Sequence, residues 1–122
     1  MFKASPAELA KHLPRPASER WPEGEHFVEA FAHGSLVVEL YAPPRRDSQS
    51  PHDRDEVYFV ISGEGDFVVA GERTRFAGGD ALFVPAGAEH RFENFSDDFA
   101  TWVVFYGPHG GERPDDGALG DA

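Results

Sequence analysis

The chain has 122 residues, enough for one domain with a packed core but too few for two. Its 22 acidic and 11 basic side chains give a net charge of -11, which argues against nucleic acid and anionic membranes as partners. There is no cysteine, so disulfides and thiolate chemistry are excluded and any metal must be bound through nitrogen and oxygen atoms.

Residues 1–24 are predicted to form a short helix followed by an extended arm. Ser5 precedes a proline and stands three residues before Glu8, a pattern typical of a capping box that starts a helix. The helix should run to about Leu13, because Pro14 disfavours a helical residue before it. We find no hydrophobic signal segment here and no apolar run of about 20 residues anywhere, so we expect a soluble, cytoplasmic protein.

From residue 25 onward the chain alternates short apolar stretches with turns rich in glycine and proline. We predict strands at residues 25–32, 35–41, 57–61, 67–70, 73–76, 81–84, 90–94 and 100–106. Many short strands without a helical crossover favour an antiparallel sandwich or barrel over residues 25–107. Residues 108–122 contain little to bury and are predicted to be a disordered acidic tail.

Two stretches of the predicted barrel, residues 52–63 and 79–94, combine ligand-type side chains with strands and glycine turns. The second contains Gly79, Pro85, Gly87, His90 and Asn94, and this spacing resembles the second motif of the cupin superfamily at every position. The first contains His52, Glu56 and Gly63, which fit the first cupin motif. Ser50 stands where that motif has its earlier histidine. The resemblance covers about Leu36 to Tyr106 and implies an all-β, single-domain jelly-roll barrel with a short N-terminal helix.

Side-chain alternation predicts which residues enter the barrel. If Glu56 points inward, Tyr58 and Val60 do so too, while Val57, Phe59 and Ile61 lie on the outer face. The same rule places His90, Phe92 and Asn94 together on an inner face.

The cupin resemblance implies that the two strands face each other, so that His52, Glu56 and His90 converge. Two imidazoles and one carboxylate can bind a divalent transition metal, and the sequence does not choose among Fe, Mn, Zn, Ni and Co. Gln49 could supply a further donor in place of the missing histidine. We favour a simpler interpretation of Ser50, as a loop residue that caps a turn.

Two more residues share the inward phase of Glu56. Tyr58 could act as a general acid or donate a hydrogen bond to a bound ligand, although a core tyrosine is the more common case. Arg54 could bind the carboxylate of a substrate, or it could simply pair with Asp53 or Asp55. The four histidines outside the site are interpreted as surface residues: His12, His26, His33 and His109.

Three functional hypotheses follow from the sequence. The first is a mononuclear non-haem metal enzyme, dioxygenase-like or isomerase-like, that acts on a small molecule. The second is a non-catalytic cupin that binds a small ligand or metal, and the third is a metal-free barrel. The apolar outer positions Val57, Phe59 and Ile61 further suggest burial against the helix or in a homodimer.

Overall fold

A computed structural model describes residues 2–47 and 50–113. The described chain contains one short helix and eight strands: α1 (Pro6–Ala10), β1 (Phe27–His33), β2 (Leu36–Tyr41), β3 (Asp55–Ser62), β4 (Glu64–Val69), β5 (Glu72–Ala77), β6 (Ala81–Val84), β7 (His90–Glu93) and β8 (Ala100–Tyr106). The predicted all-β fold with a short N-terminal helix is confirmed.

The strands form two antiparallel sheets. One sheet has the order β1-β2-β8-β3-β6 and the other has the order β5-β4-β7. Because β3 and β4 are joined through Gly63 alone yet lie in different sheets, the chain crosses between sheets at this turn. The crossing places the inner face of β3 opposite the inner face of β7.

Aromatic side chains fill the space between the sheets. Tyr58 is fully buried, and its ring lies 4.8 Å from that of Phe92 in an edge-to-face arrangement. Phe92 also contacts Phe99, with 4.7 Å between ring centroids. Such pairs stabilise a core by about 0.5–1.5 kcal/mol beyond the area that they bury. The aromatic core therefore packs around Tyr58 in the middle of β3 and fixes the direction of the inner side chains of this strand.

Helix α1 is shorter than predicted. It ends at Ala10 instead of Leu13, because the amide of Leu13 bonds to the carbonyl of Ala10 in a tighter turn at 3.1 Å. Ser5 occupies the N-cap position with extended backbone, but its side chain makes no capping hydrogen bond, so the predicted capping box does not form. The helix buries none of its residues completely and lies against β2.

The inward and outward phases of β3 are as predicted. Tyr58 and Val60 are buried, whereas Phe59 is 48% exposed on the outer face. On β7 the prediction is correct for His90 and Phe92 but wrong for Asn94.

The strand ends at Glu93, where Asn94 turns into the left-handed region with φ of +52° and becomes exposed. Its amide then donates a hydrogen bond of 3.0 Å to Asp66, which fulfils the strand-end role that the sequence suggested.

The chain beyond β8 remains in contact with the barrel as far as the structure describes it. The amide of Glu112 donates to Asp55 at 2.8 Å, and the ring of His109 lies 2.8 Å from the carboxylate of Asp53. Residues 114–122, which make up most of the predicted acidic tail, lie outside the described residues, so its disorder stays a prediction. Within the described part of the chain, no helix is long and apolar enough to cross a membrane.

Candidate metal centre

Three separate segments bring the predicted ligands together. Glu56 lies near the start of β3, His90 is the first residue of β7, and His52 belongs to the loop that precedes β3. A backbone hydrogen bond of 2.7 Å from the amide of Gly87 to the carbonyl of His52 joins that loop to the turn before β7. Gly87 adopts φ of +81°, a conformation that favours glycine, so the motif glycine positions the loop.

The three side chains face a common point. Glu56 Oε1 lies 3.1 Å from His52 Nδ1 and 3.1 Å from His90 Nε2. The candidate ligand atoms all lie within 4.8 Å of one another. Glu56 is fully buried and His90 is 7% exposed, whereas His52 is partly exposed, so the group is reached from the His52 side.

Two polar atoms of this group are buried without a hydrogen-bond partner among the described residues: Glu56 Oε2 and His90 Nε2. His90 Nδ1 donates to the carbonyl of Ala88 at 3.0 Å, which leaves Nε2 to face the carboxylate. The 3.1 Å contact between His90 Nε2 and Glu56 Oε1 is short, but it is not aligned as a hydrogen bond. A buried unpaired polar atom costs about 1–3 kcal/mol, so a group that binds both atoms would stabilise the fold.

The charge balance of the group is consistent with a cation between the ligands. Burial alone would raise the pKa of Glu56, but its interactions with His52 and His90 outweigh burial and lower it. Burial alone would lower the pKa of His90, but the Glu56 carboxylate and the Ala88 carbonyl outweigh it and raise the pKa. The site therefore attracts positive charge, which a proton or a metal ion can supply.

The donor set fits a transition-metal ion. Two ligands at right angles and about 2.1–2.2 Å from an ion are separated by about 3.0–3.1 Å. The two contacts of Glu56 Oε1 have this length. Imidazole nitrogen together with carboxylate oxygen suits Fe, Mn, Zn, Ni and Co.

Ser50 does not join the ligand group. Its hydroxyl accepts a hydrogen bond of 2.8 Å from Nη2 of Arg20, which belongs to the N-terminal arm. This contact is consistent with the predicted loop role, since both side chains are exposed. Gln49 lies outside the described residues.

The two residues predicted to act beside the metal lie in different surroundings. Tyr58 is fully buried among aromatic rings, with its ring centroid 6.1 Å from that of His90. Arg54 comes just before β3, where its Nη1 donates to the carbonyl of Ser35 at 2.6 Å. Arg54 has neither Asp53 nor Asp55 as an ion-pair partner, so that alternative is not the arrangement found; Asp53 contacts His109 instead.

A cavity of about 420 Å³ opens beside His52. Strands β1, β2 and β8 and the N-terminal arm contribute to its walls, with Trp21, Phe27, Val103 and Phe105 as apolar lining. Its size is in the range of pockets that bind small molecules. The imidazole of His52 packs against Phe105 at 4.9 Å between ring centroids, so His52 itself forms part of the cavity wall.

Glu39 is a residue of this cavity that sequence reasoning missed. It pairs with Val103 across the sheet, and Val103 pairs with Tyr58, so Glu39 shares the inner face. The alternation along β2 places Glu39 on the same face as Tyr41, which could have indicated an inward position. The other face carries Leu36, Val38 and Leu40, and its apolar character made it look like the core face. Burial raises the pKa of Glu39; the nearby charge of His52 lowers it, and those of Glu29 and Glu56 raise it further.

Comparisons with known proteins place these features in context. A family model described as Cupin domain matches residues 37–106. An uncharacterised protein of Streptomyces coelicolor is 39% identical over 93 residues, which cover 75% of this chain and 89% of that protein.

Two characterised or solved proteins extend the comparison. Dimethylsulfoniopropionate lyase DddQ of Ruegeria pomeroyi is 33% identical over 57 residues, covering 46% of this chain and 28% of the lyase. Its crystal structure gives a TM-score of 0.57 at 26% identity, over 68% of this chain and 48% of that one. The structure of KdgF from Halomonas sp. gives a TM-score of 0.59 at 19% identity, over 68% and 78% of the two chains, and shows a shared fold.

Proposed function

Because the chain belongs to the cupin family, we propose that it is a metal-dependent small-molecule cupin whose divalent ion is bound by His52, Glu56 and His90. The observation that carries this proposal is the pair of buried, unpartnered atoms, Glu56 Oε2 and His90 Nε2, within a group that already has ligand spacing. Two buried polar atoms without partners destabilise the folded protein, and a cation bound by both atoms would remove that cost.

A bound divalent ion would act as a Lewis acid on an oxygen-bearing ligand and, if it is iron, could support dioxygen chemistry. His52 is the ligand nearest the cavity, so a small molecule in the cavity would approach the ion from that side. Tyr58 is proposed as a proton donor or hydrogen-bond donor to a bound group. Arg54 retains guanidinium N–H groups beyond its bond to Ser35, and these could bind a substrate carboxylate.

The metal proposal is tested by the metal content of untagged protein. Chelated protein is offered each of the five metals in turn, and bound metal is measured by mass spectrometry after desalting. Native protein should retain about one equivalent of at least one metal, and His90→Ala should retain less than about a tenth of that. His33→Ala, an exposed histidine at the end of β1, is the matched control and should bind as the native protein does.

Thermal unfolding distinguishes a ligand from a packing residue. Metal should raise the melting temperature of the native protein and of His33→Ala, but not that of His90→Ala. Equal metal content in His90→Ala and native protein would refute the site. A loss of stability in His90→Ala that is the same with and without metal would indicate a packing role instead.

Enzymatic activity is the finer part of the proposal. Metal-loaded protein should be assayed for oxygen uptake with catechols, diketones and thiols, and for cleavage of dimethylsulfoniopropionate, the substrate named for the DddQ relative. Turnover that is lost in Tyr58→Phe or Arg54→Gln, with metal retained, would support their proposed roles. Ligand binding without turnover would favour a non-catalytic cupin. A homodimer is also part of this proposal, and the exposed Phe59 on the outer face of β3 supports it. The cytoplasmic location stays a prediction.

A further inference from the structure

The cavity beside His52 contains charges of both signs that have no opposite partner within the described residues. Glu39 is a half-buried carboxylate on its inner wall, without an ion pair or hydrogen bond to a described residue. Arg20 is an exposed guanidinium at its edge, bonded to the neutral hydroxyl of Ser50 and stacked 5.2 Å from the centroid of Trp21. A charge facing an apolar cavity is costly unless something neutralises it.

The surroundings of Glu39 favour a cation from outside the chain. It lies directly across from Glu29 on β1, and like charges in such a pair repel. Burial and the charges of Glu29 and Glu56 raise the pKa of its carboxylate, although the charge of His52 lowers it, so the ionised form lacks full compensation within the chain. Arg20 and Arg54 line the same cavity, but their hydrogen bonds go to Ser50 and Ser35 instead of Glu39. The aromatic residues Trp21, Phe27, Tyr41 and Phe105 also line the cavity, and aromatic faces suit an organic cation better than a hydrated metal ion.

The position of Arg20 favours an anion at the outer end of the cavity. Its partner Ser50 stands where the first cupin motif has a histidine, and Arg20, Ser50 and His52 line the same cavity, so a guanidinium lies on the open side of the proposed centre. A guanidinium has five N–H donors, and the bond to Ser50 uses one of them. The remaining donors can bind a carboxylate in a bidentate manner. Arg20 belongs to the N-terminal arm, outside residues 37–106 that match the family model.

We propose that the cavity binds a small zwitterion, with its cationic group at Glu39 and its carboxylate at Arg20. Glu39 is the more buried of the two residues, so the cationic end enters first and the carboxylate stays near the mouth. The volume of about 420 Å³ accommodates a molecule the size of an amino acid or betaine. This inference rests on the proposed function only in taking the cavity beside His52 as the ligand pocket.

Four probes of nearly equal shape separate the two charges. Glycine betaine carries both charges, 3,3-dimethylbutanoate lacks the positive one, choline lacks the negative one, and 3,3-dimethylbutan-1-ol is neutral. Binding is measured by calorimetry on chelated full-length protein in low salt at about pH 8, where carboxylates are ionised. Betaine should bind at least about tenfold more tightly than dimethylbutanoate or choline, and the neutral alcohol should bind most weakly.

Two variants assign the charges to residues. Glu39→Gln should reduce the preference for betaine over dimethylbutanoate to less than about twofold, while the preference for betaine over choline remains. Arg20→Gln should have the opposite effect. Arg75→Gln, at an exposed arginine on β5 in the other sheet, is the control away from the cavity and should leave both preferences unchanged. Arg54→Gln tests the second guanidinium that lines the cavity.

Each contrary result overturns the inference in a defined way. Equal binding of dimethylbutanoate and betaine would show a plain anion pocket, and equal binding of choline and betaine would remove Arg20 from recognition. Absence of binding by all four probes would exclude this ligand class. If Arg54→Gln loses the carboxylate preference and Arg20→Gln keeps it, the carboxylate is bound by Arg54 and not by Arg20. The native protein alone decides the ligand class if a variant fails to fold.

The result is independent of the metal. Chelated protein is used throughout, so failure of metal binding leaves the probe series interpretable. Conversely, His90→Ala should lose the metal and keep the preference for betaine.

Discussion

Asp47 joins two strands through the two oxygens of one carboxylate. Tyr41, the last residue of β2, donates its hydroxyl to Oδ1 at 2.6 Å, and the amide of Phe92 on β7 donates to Oδ2 at 2.9 Å. These strands belong to different sheets, so Asp47 connects the sheets close to the candidate metal centre. Burial and the adjacent carboxylate raise the pKa of Tyr41, which keeps the hydroxyl protonated as a donor.

We predict that Asp47→Ala lowers the free energy of unfolding by about 2–4 kcal/mol, because it leaves a buried hydroxyl and a buried amide without acceptors. Tyr41→Phe removes one of the two bonds and should cost about 1 kcal/mol. Urea unfolding of chelated protein measures both changes. If Asp47→Ala costs no more than Tyr41→Phe, the bond to Phe92 contributes nothing.

Ser50→His should restore a donor that the first cupin motif has and this chain lacks. If the new imidazole reaches the ion, the metal dissociation constant should fall by about tenfold or more, as expected for one added ligand bond. Competition with a chromophoric chelator measures the constant. Ser5→His adds a histidine at the N-cap of α1 and should leave the constant unchanged. Equal constants for native protein and Ser50→His would show that position 50 does not face the ion.

Acid should weaken metal binding. A proton and a metal ion compete for the same imidazole nitrogen of His90, whose pKa is raised by the Glu56 carboxylate and the Ala88 carbonyl against the opposing effect of burial, so the metal dissociation constant should begin to rise at a pH above the ordinary imidazole value of about 6.5 as the pH falls. Measuring the constant between about pH 5.5 and 8 tests this directly, since only the ligand form that lacks the proton binds. A constant that does not change over this interval would exclude imidazole as a ligand.

At the residue level the sequence predicted which three side chains lie together but not their surroundings. His52 and Glu56 follow the spacing of the first cupin motif and His90 follows that of the second, so two motifs predicted three positions. Glu39 follows no motif, and its importance comes from β2 lying beside β8, a pairing of strands far apart in the chain. The orientation of Asn94 was missed because a strand's alternation does not reveal where the strand stops.

Gly63, between β3 and β4, allows the chain to change sheets. It adopts φ of +87°, and an added Cβ would lie 2.6 Å from the Cα of Phe99, whose ring is part of the core. Gly34, in the turn between β1 and β2, also has a positive φ of +59°, but an added Cβ there would have no other atom within 4 Å. A substitution at Gly34 therefore measures backbone strain alone, whereas one at Gly63 measures strain together with a steric clash.

We predict that Gly34→Ala costs about 1–2 kcal/mol of unfolding free energy, which is the strain of a left-handed alanine. Gly63→Ala should cost about 1–3 kcal/mol more, because the Phe99 backbone must also move. Chemical denaturation of the two variants side by side gives the difference. Equal costs would show that the backbone near Phe99 yields easily.

Element boundaries were predictable where the signal is local. Strands Ala81–Val84 and Ala100–Tyr106 match the prediction, since turn residues flank both. The start of β1 was not predictable, because Glu25 pairs with Arg15 in an isolated bridge instead of extending the strand. The end of α1 depends likewise on a tighter final turn than its capping pattern suggests.

At the scale of the molecule, the outer face of β3 and β6 remains apolar and exposed. Val57 and Phe83 are cross-strand partners on this face, Phe59 is 48% exposed and Phe83 is 42% exposed. Helix α1 lies against β2, so it does not cover this part of the sheet. The sequence also suggested a second copy of the chain as the cover of this face, and this stays a prediction.

We predict that the double variant Phe59→Ser with Phe83→Ser raises the dimer dissociation constant by about a hundredfold, the effect of losing two aromatic contacts of about 1.4 kcal/mol each. Light scattering after size exclusion measures the mass over a dilution series. Phe2→Ser, at a fully exposed phenylalanine in the N-terminal arm, is the control and should leave the constant unchanged. Native protein that is monomeric at every concentration would contradict the homodimer.

The overall architecture was predicted by motif spacing and not by pattern alone. Short strands separated by glycine turns are compatible with several all-β folds, and only the two spaced motifs pointed to this barrel. The cavity was not predictable, because part of its wall comes from the N-terminal arm, and nothing in the arm's sequence shows where it rests.

Arg15 and Glu25 form an antiparallel bridge at the two ends of the N-terminal arm. The backbone groups of these two residues bond to each other in both directions, at 2.7 Å and 3.1 Å, so residues 16–24 form a loop that is closed at its base. A loop whose two ends are bonded to each other can be exchanged without moving the strands beside it. Grafting it between related barrels should transfer the carboxylate preference assigned to Arg20, while the recipient keeps its own β2 residue at the position of Glu39 and its own metal chemistry.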